Sequence, residues 1–277
     1  MRRTTFAALC LAVVSIAGVA GCLPGEDKAD GSPSGKSSAG ASGKPAAKAS
    51  KGPFDGLTGG EIAERALTAT SGASSLRMTG DVPDDESGGT IRIDMALDKR
   101  GECVGTMSMN GEGKADVVKT GTTLYMRYDE KFLRAQSDGS SKEETDGVVA
   151  MLAGKWTKMA ATGADAKDIA GFCDLDSVLA DFKDTQSGST GTSASSDTEV
   201  TRGATTTVDG TPALVVNEKD GKDSYTLYVA TKGKPYILRL ESKSAKDPGT
   251  IAFSEYDKPV AAKTPTGEIL DLDALGG

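Results

Sequence analysis

Residues 90–109 read TIRIDMALDKRGECVGTMSM. Ile91, Ile93, Met95 and Leu97 alternate with Arg92, Asp94, Ala96 and Asp98, and after a polar turn Cys103, Met107 and Met109 alternate with Thr106 and Ser108. A period of two places successive side chains on opposite faces of a strand, so each run reads as a half-buried β-strand. The same alternation extends upstream through Leu76, Met78 and Val82 and downstream through Val117-Val118, Leu124/Met126 and Phe132-Leu133. Gly, Asp and Asn separate the runs at intervals of about ten residues, the pattern of an antiparallel meander.

The C-terminal third repeats the pattern. Val200–Val208 leads into Asp209-Gly210, then Leu214–Val216, Asp220-Gly221 and Tyr225/Leu227/Val229, and Tyr236/Leu238/Leu240 and Ile251/Phe253 follow. Asp-Gly between alternating runs is a hairpin signal. Helical spacing occurs in three places. Thr58-Gly-Gly-Glu61 reads as a capping box before Ile62, Ala66 and Ala69, which predicts a helix over 59–71. Val148-Val149-Met151-Leu152 marks a second helix, and Asp174, positioned as a cap, opens a third through Phe182. The predicted class is α+β: about ten strands in one strongly curved antiparallel sheet, with three helices on one face.

The N-terminus reads as an address rather than a fold. Arg2 and Arg3 precede a nearly unbroken apolar run from Phe6 to Ala20. That run is shorter than the ~20 apolar residues needed to span a bilayer and fits a secretory signal over residues 1–21. It ends in Val19-Ala20-Gly21-Cys22, which looks like a bacterial lipobox, so Cys22 is expected to be acylated and to anchor the chain on the extracytoplasmic face of the cell membrane. Of the 31 residues from Leu23 to Pro53, 27 are Gly, Ser, Pro, Ala or Lys. Such a segment buries too little apolar surface to order itself, so 22–53 reads as lipidated Cys plus tether, with a reach of ~30 Å. Residues 54–277 then form a single domain, with a Ser/Thr/Gly-rich loop expected at 185–196.

Composition narrows the function. The 277-residue chain has no histidine and a formal charge of −8. His-based triads, His general bases and His-ligated metals are excluded. Residues 54–277 alone carry 25 bases against 37 acids, a formal −12, which argues against nucleic acid as a partner. No Gly-x-Ser-x-Gly elbow or Ser-x-x-Lys occurs, and the acidic spots Asp84-Asp85-Glu86 and Asp174/Asp176 lack calcium-loop spacing. No catalytic residue, metal site or cofactor is assigned. Asp84–Glu86 reads as a solvated turn, and Trp156 as a cover over one end of the core.

The order of a lipobox, a tether, one helix, a meander, a helical middle and returning hairpins resembles the actinobacterial LppX/LprG-type lipoproteins. So do the phrases Tyr228-Val-Ala-Thr-Lys-Gly-Lys-Pro-Tyr-Ile-Leu-Arg-Leu240 and Tyr256-Asp-Lys-Pro-Val260. The resemblance implies a LolA-like, half-open β-barrel with helices on its concave side, whose apolar face binds acyl chains. It implies no catalytic motif.

Two sets of residues follow as candidates. Cys103 and Cys173 remain outside the cytoplasm if the lipobox is used, and are expected to form a disulfide, the alternative being two buried thiols. Five of the eight methionines, Met78, Met95, Met107, Met109 and Met126, lie in the meander on the more apolar phase, as does Ile93. Methionine suits surfaces that accept variable apolar ligands, and it equally fills ordinary cores. The expected function is an anchored lipoprotein that binds lipid or another apolar ligand for carriage or presentation in the cell envelope. The alternative is a non-enzymatic scaffold with a filled core that contacts another envelope protein.

Overall fold

The computed structural model describes residues 52–84, 89–109, 111–137, 139–164, 166–180, 198–244 and 248–275. The expected signal over 1–21, Cys22, the expected tether up to Lys51, Asp85-Glu86 and the loop expected at 185–196 lie outside the described residues. Those described belong to one compact unit, Ser50–Gly277.

Twelve strands form one sheet: β1 (Ser75–Asp84), β2 (Gly89–Asp98), β3 (Cys103–Met109), β4 (Ala115–Thr120), β5 (Thr123–Tyr128), β6 (Trp156–Ala160), β7 (Thr198–Val208), β8 (Thr211–Asp220), β9 (Asp223–Ala230), β10 (Ile237–Ser242), β11 (Gly249–Ser254) and β12 (Ile269–Asp271). Their order is β12-β6-β5-β4-β3-β2-β1-β11-β10-β9-β8-β7. All pairs are antiparallel except β12 on β6. The sheet is curved and unclosed, the half-open architecture anticipated above. It has two strands more than expected. β6 carries Trp156 beside charged residues, and β12 is only three residues long, so neither presents enough alternation to be read from sequence.

The period-two reading is visible as rows across the sheet. One row runs Phe253–Met78–Met95–Gly105–Val117–Met126–Thr157, and the next runs Ile251–Gly80–Ile93–Met107–Ala115–Tyr128. The glycines in these rows permit close strand coiling. A Cβ on Gly80 would collide with the Thr250 carbonyl, and one on Gly105 with that of Asp94. The outer phase is charged, with Arg92–Asp81 at 2.8 Å and Arg127–Asp116 at 2.6 Å. Trp156 lies on this outer phase under the Arg127 guanidinium, 4.8 Å from the ring centroid, rather than over one end of the core. Asp209-Gly210 takes positive φ at both positions and joins β7 to β8, as a tight hairpin requires.

Helix α1 (Gly59–Ser71) starts at the expected residue. Thr58 Oγ1 accepts from Glu61 N, and the Glu61 carboxylate accepts from Thr58 N at 2.8 Å. Its buried face, Ile62, Ala63, Ala66 and Leu67, lies against β7–β10. Phe132-Leu133 departs from the strand expectation. The pair sits in α2 (Glu130–Ala135), because Asp129 caps the segment by accepting from Phe132 N at 2.7 Å. Two apolar residues alone do not fix a period. α3 (Lys142–Leu152) carries its own capping box, Ser141 and Glu144, yet buries no side chain. α4 (Lys167–Gly171) precedes helical residues 175–180, which Asp174 caps through Asp176 N and Ser177 N.

The two phrases behind the family resemblance meet in space. Tyr236 stacks on Tyr256 with ring centroids 3.9 Å apart, and Asp257 accepts from Lys234 Nζ at 2.9 Å and Tyr236 OH at 2.5 Å. Asp257 also accepts from Ser74 N at 2.9 Å, and Ile237 N donates to Thr70 Oγ1. The phrases therefore latch the end of α1 to β1, β10 and the turn after β11, which is a structural task.

Candidate functional site

The concave face is covered in two different ways. α1 fills it over β7–β10. Over the central strands β11, β1, β2 and β3, the cover comes from α4 and residues 171–179, and there the layers do not close. A cavity of about 580 Å³ remains between them, within the ~300–1,000 Å³ usual for small-molecule sites. Its floor is Met78, Val82, Ile91, Ile93, Met107, Ile251 and Phe253, and its roof includes Phe172, Val178 and Leu179.

The disulfide positions the roof. Cys103 and Cys173 are bonded, with Cα atoms 5.2 Å apart, and both are fully buried. The bond ties the start of β3 to the connection between α4 and residues 175–180. Leu175 and Leu179 are buried beside it in the common core, and Lys99 pairs with Asp176 at 3.2 Å. The roof is thus pinned at one end over the upper rows of the sheet and stands off the lower rows, where the cavity lies.

Of the sequence candidates, Met78, Ile93 and Met107 line the cavity. Met95 and Met126 point to the same concave side but lie packed in the core and do not line it. Met109 lies one row beyond, opposite Ile91, where the Gln136 amide approaches its sulfur at 3.6 Å. Val82, Ile91, Ile251 and Phe253 also line the cavity and were not singled out from sequence. Each has the inward phase, so their orientation was readable. Which rows the roof leaves uncovered depends on long-range packing and was not.

The site has little titratable chemistry. Among the described residues, no group of three or more His, Cys, Asp or Glu could hold a metal ion. The shifted carboxylates belong to surface pairs and caps. Asp257 is held far below the usual carboxylate range, first by the Lys234 ammonium and then by Tyr236 and Ser74, and it is not a lining residue. Burial pushes the Tyr128 and Tyr256 phenols upward. Apart from Lys167 and Ser177, the side chains lining the cavity are apolar.

No protein-family model matches the chain, and no curated protein matches it. Among solved structures it is similar to LprF from Mycobacterium bovis, at 13% identity and a TM-score of 0.49, over 76% of this chain and 97% of that one. It is also similar to the lipoprotein LppX from Mycobacterium tuberculosis, at 13% identity and a TM-score of 0.45, over 74% and 98%. A likeness to the Pseudomonas aeruginosa MucA/MucB complex has 10% identity and a TM-score of 0.33, over 76% and 61%. These likenesses concern the fold alone.

Proposed function

We propose that this protein is a membrane-anchored, extracytoplasmic lipoprotein that binds an apolar ligand, lipid acyl chains, for carriage or presentation in the cell envelope. The observation that carries this reading is the apolar cavity between β11-β1-β2-β3 and the 167–179 roof. Each methylene buried there contributes ~0.8 kcal/mol, so a chain that fills it binds without any polar recognition. Flexible Met78 and Met107 accommodate chains of differing shape. The lipobox ending in Cys22 supplies the anchor, and a disulfide between Cys103 and Cys173 suits an oxidising compartment.

The test is binding of a fluorescent acyl probe, cis-parinaric acid, to delipidated full-length protein. Saturable binding near one probe per chain is expected. A signal no greater than that of an unrelated acidic protein contradicts the reading.

One observation favours a second reading, a docking module for another envelope protein. α3 buries none of its side chains and exposes Val148 and Met151, and surface apolar groups of this kind can mark contact sites. The interior itself is not a filled core, since the cavity remains.

A further inference from the structure

The cavity is chemically one-sided. Every floor residue, from Met78 on β1 to Phe253 on β11, is apolar. The polar lining side chains both come from the roof: Ser177 from residues 175–180, and Lys167 from α4. Lys167 is the one charged side chain among the described lining residues. It is exposed, and no ion pair among the described residues involves it. Phe172 lines the same cavity and is 45% exposed. The opening therefore carries an aromatic ring and an ammonium, with no acid among its described lining residues.

A lysine in this position lays its methylene stem along apolar surface and keeps its head in water. A wholly apolar occupant makes no use of that head. An occupant with an acidic head gives it an N⁺–H···O⁻ hydrogen bond, roughly twice as strong as a neutral one. The surrounding domain makes this cation more telling. At a formal −12 over residues 54–277, its summed field opposes the approach of anions, so an acidic head is retained only by a local positive group.

We infer that the occupant is an amphiphile with an apolar tail on the Met78–Ile93–Met107 floor and an acidic head, carboxylate or phosphate, held at Lys167. This rests on the carrier reading and specifies its ligand class: acidic lipids over neutral ones of equal chain length.

The experiment compares cis-parinaric acid with its methyl ester on delipidated full-length protein, as wild type, Lys167→Gln and Lys167→Arg. Wild type is expected to bind the acid about tenfold more tightly than the ester. Lys167→Gln removes that preference, bringing the acid-to-ester affinity ratio close to one, while Lys167→Arg, which keeps the charge, retains it. Dodecyl phosphate displaces the probe, and inorganic phosphate at the same concentration does not. Equal acid and ester affinities in wild type, or an acid preference that survives Lys167→Gln, overturn the inference and leave the carrier reading standing. Displacement by inorganic phosphate alone assigns Lys167 to a free anion and also overturns it. Failure of wild type to bind either probe overturns both.

Discussion

Met78 on β1 and Phe253 on β11 are partners in the ladder that joins the two halves of the sheet, and both side chains line the cavity. The first and last long runs of alternating sequence thus close side by side under the 167–179 roof. The cavity floor exists only once this long-range pairing has formed, so the cavity reports on the complete sheet.

Filling the cavity should separate binding from folding. Met107→Trp places a large side chain into the void from a half-buried position. Its cost to stability is expected to stay near the ~1–3 kcal/mol of core overpacking, while affinity for cis-parinaric acid falls at least about tenfold. Met95→Ala does the opposite: it should cost ~2–5 kcal/mol and leave affinity per folded molecule unchanged, because Met95 is core and not lining. Urea unfolding alongside probe titration checks both.

How much of this was legible in the sequence depends on range. Thr58 and Glu61 are three residues apart, and their reciprocal cap fixed the start of α1 without any tertiary information. The inward phase of Ile91, Ile93 and Met107 was equally plain from alternation. Phe132-Leu133 misled because two apolar residues fit either period, and the Asp129 cap decided for helix. β12 was invisible because three residues pair with β6 only after the chain has crossed the sheet. The uncovered rows could not be foreseen, since they depend on where the Cys103–Cys173 bond halts the roof.

The disulfide should hold that roof. Peptide mapping of the unreduced mature chain with a thiol reagent is expected to label neither Cys103 nor Cys173, and labelling of both would contradict the pairing. Replacing both by alanine opens a loop of 70 residues, and the chain-entropy model gives a loss of ~4 kcal/mol. Hydrogen exchange at 167–179 should rise more than in β8 or β9.

Acid should loosen the Ser74–Lys234–Tyr236–Asp257 latch. The Asp257 carboxyl is depressed in the fold, so its contribution is complete above its unfolded pKa of ~3.9 and is lost as pH falls towards the lower folded value. Asp257→Asn should therefore lower the urea midpoint at pH 7, and the gap between wild type and variant should narrow from pH 5 to pH 2. A gap independent of pH would assign the latch to packing of Tyr236 on Tyr256 alone.

The two capping boxes should behave differently. Thr58→Ala is expected to cost ~1 kcal/mol of global stability, because α1 packs its buried face on β7–β10. Ser141→Ala removes the equivalent cap from α3, which buries nothing. Its effect should be local, seen as faster amide exchange across 142–152 with an unchanged unfolding midpoint.

The most direct measurement is mass spectrometry of lipid retained by the protein purified from its native membrane, for wild type and Met107→Trp in parallel. The expected result is an acyl-bearing lipid on wild type at about one per chain, strongly reduced in the folded variant. Wild type free of lipid and unable to take up added acyl chains, or equal retention by the two proteins, would contradict the cavity as the binding site.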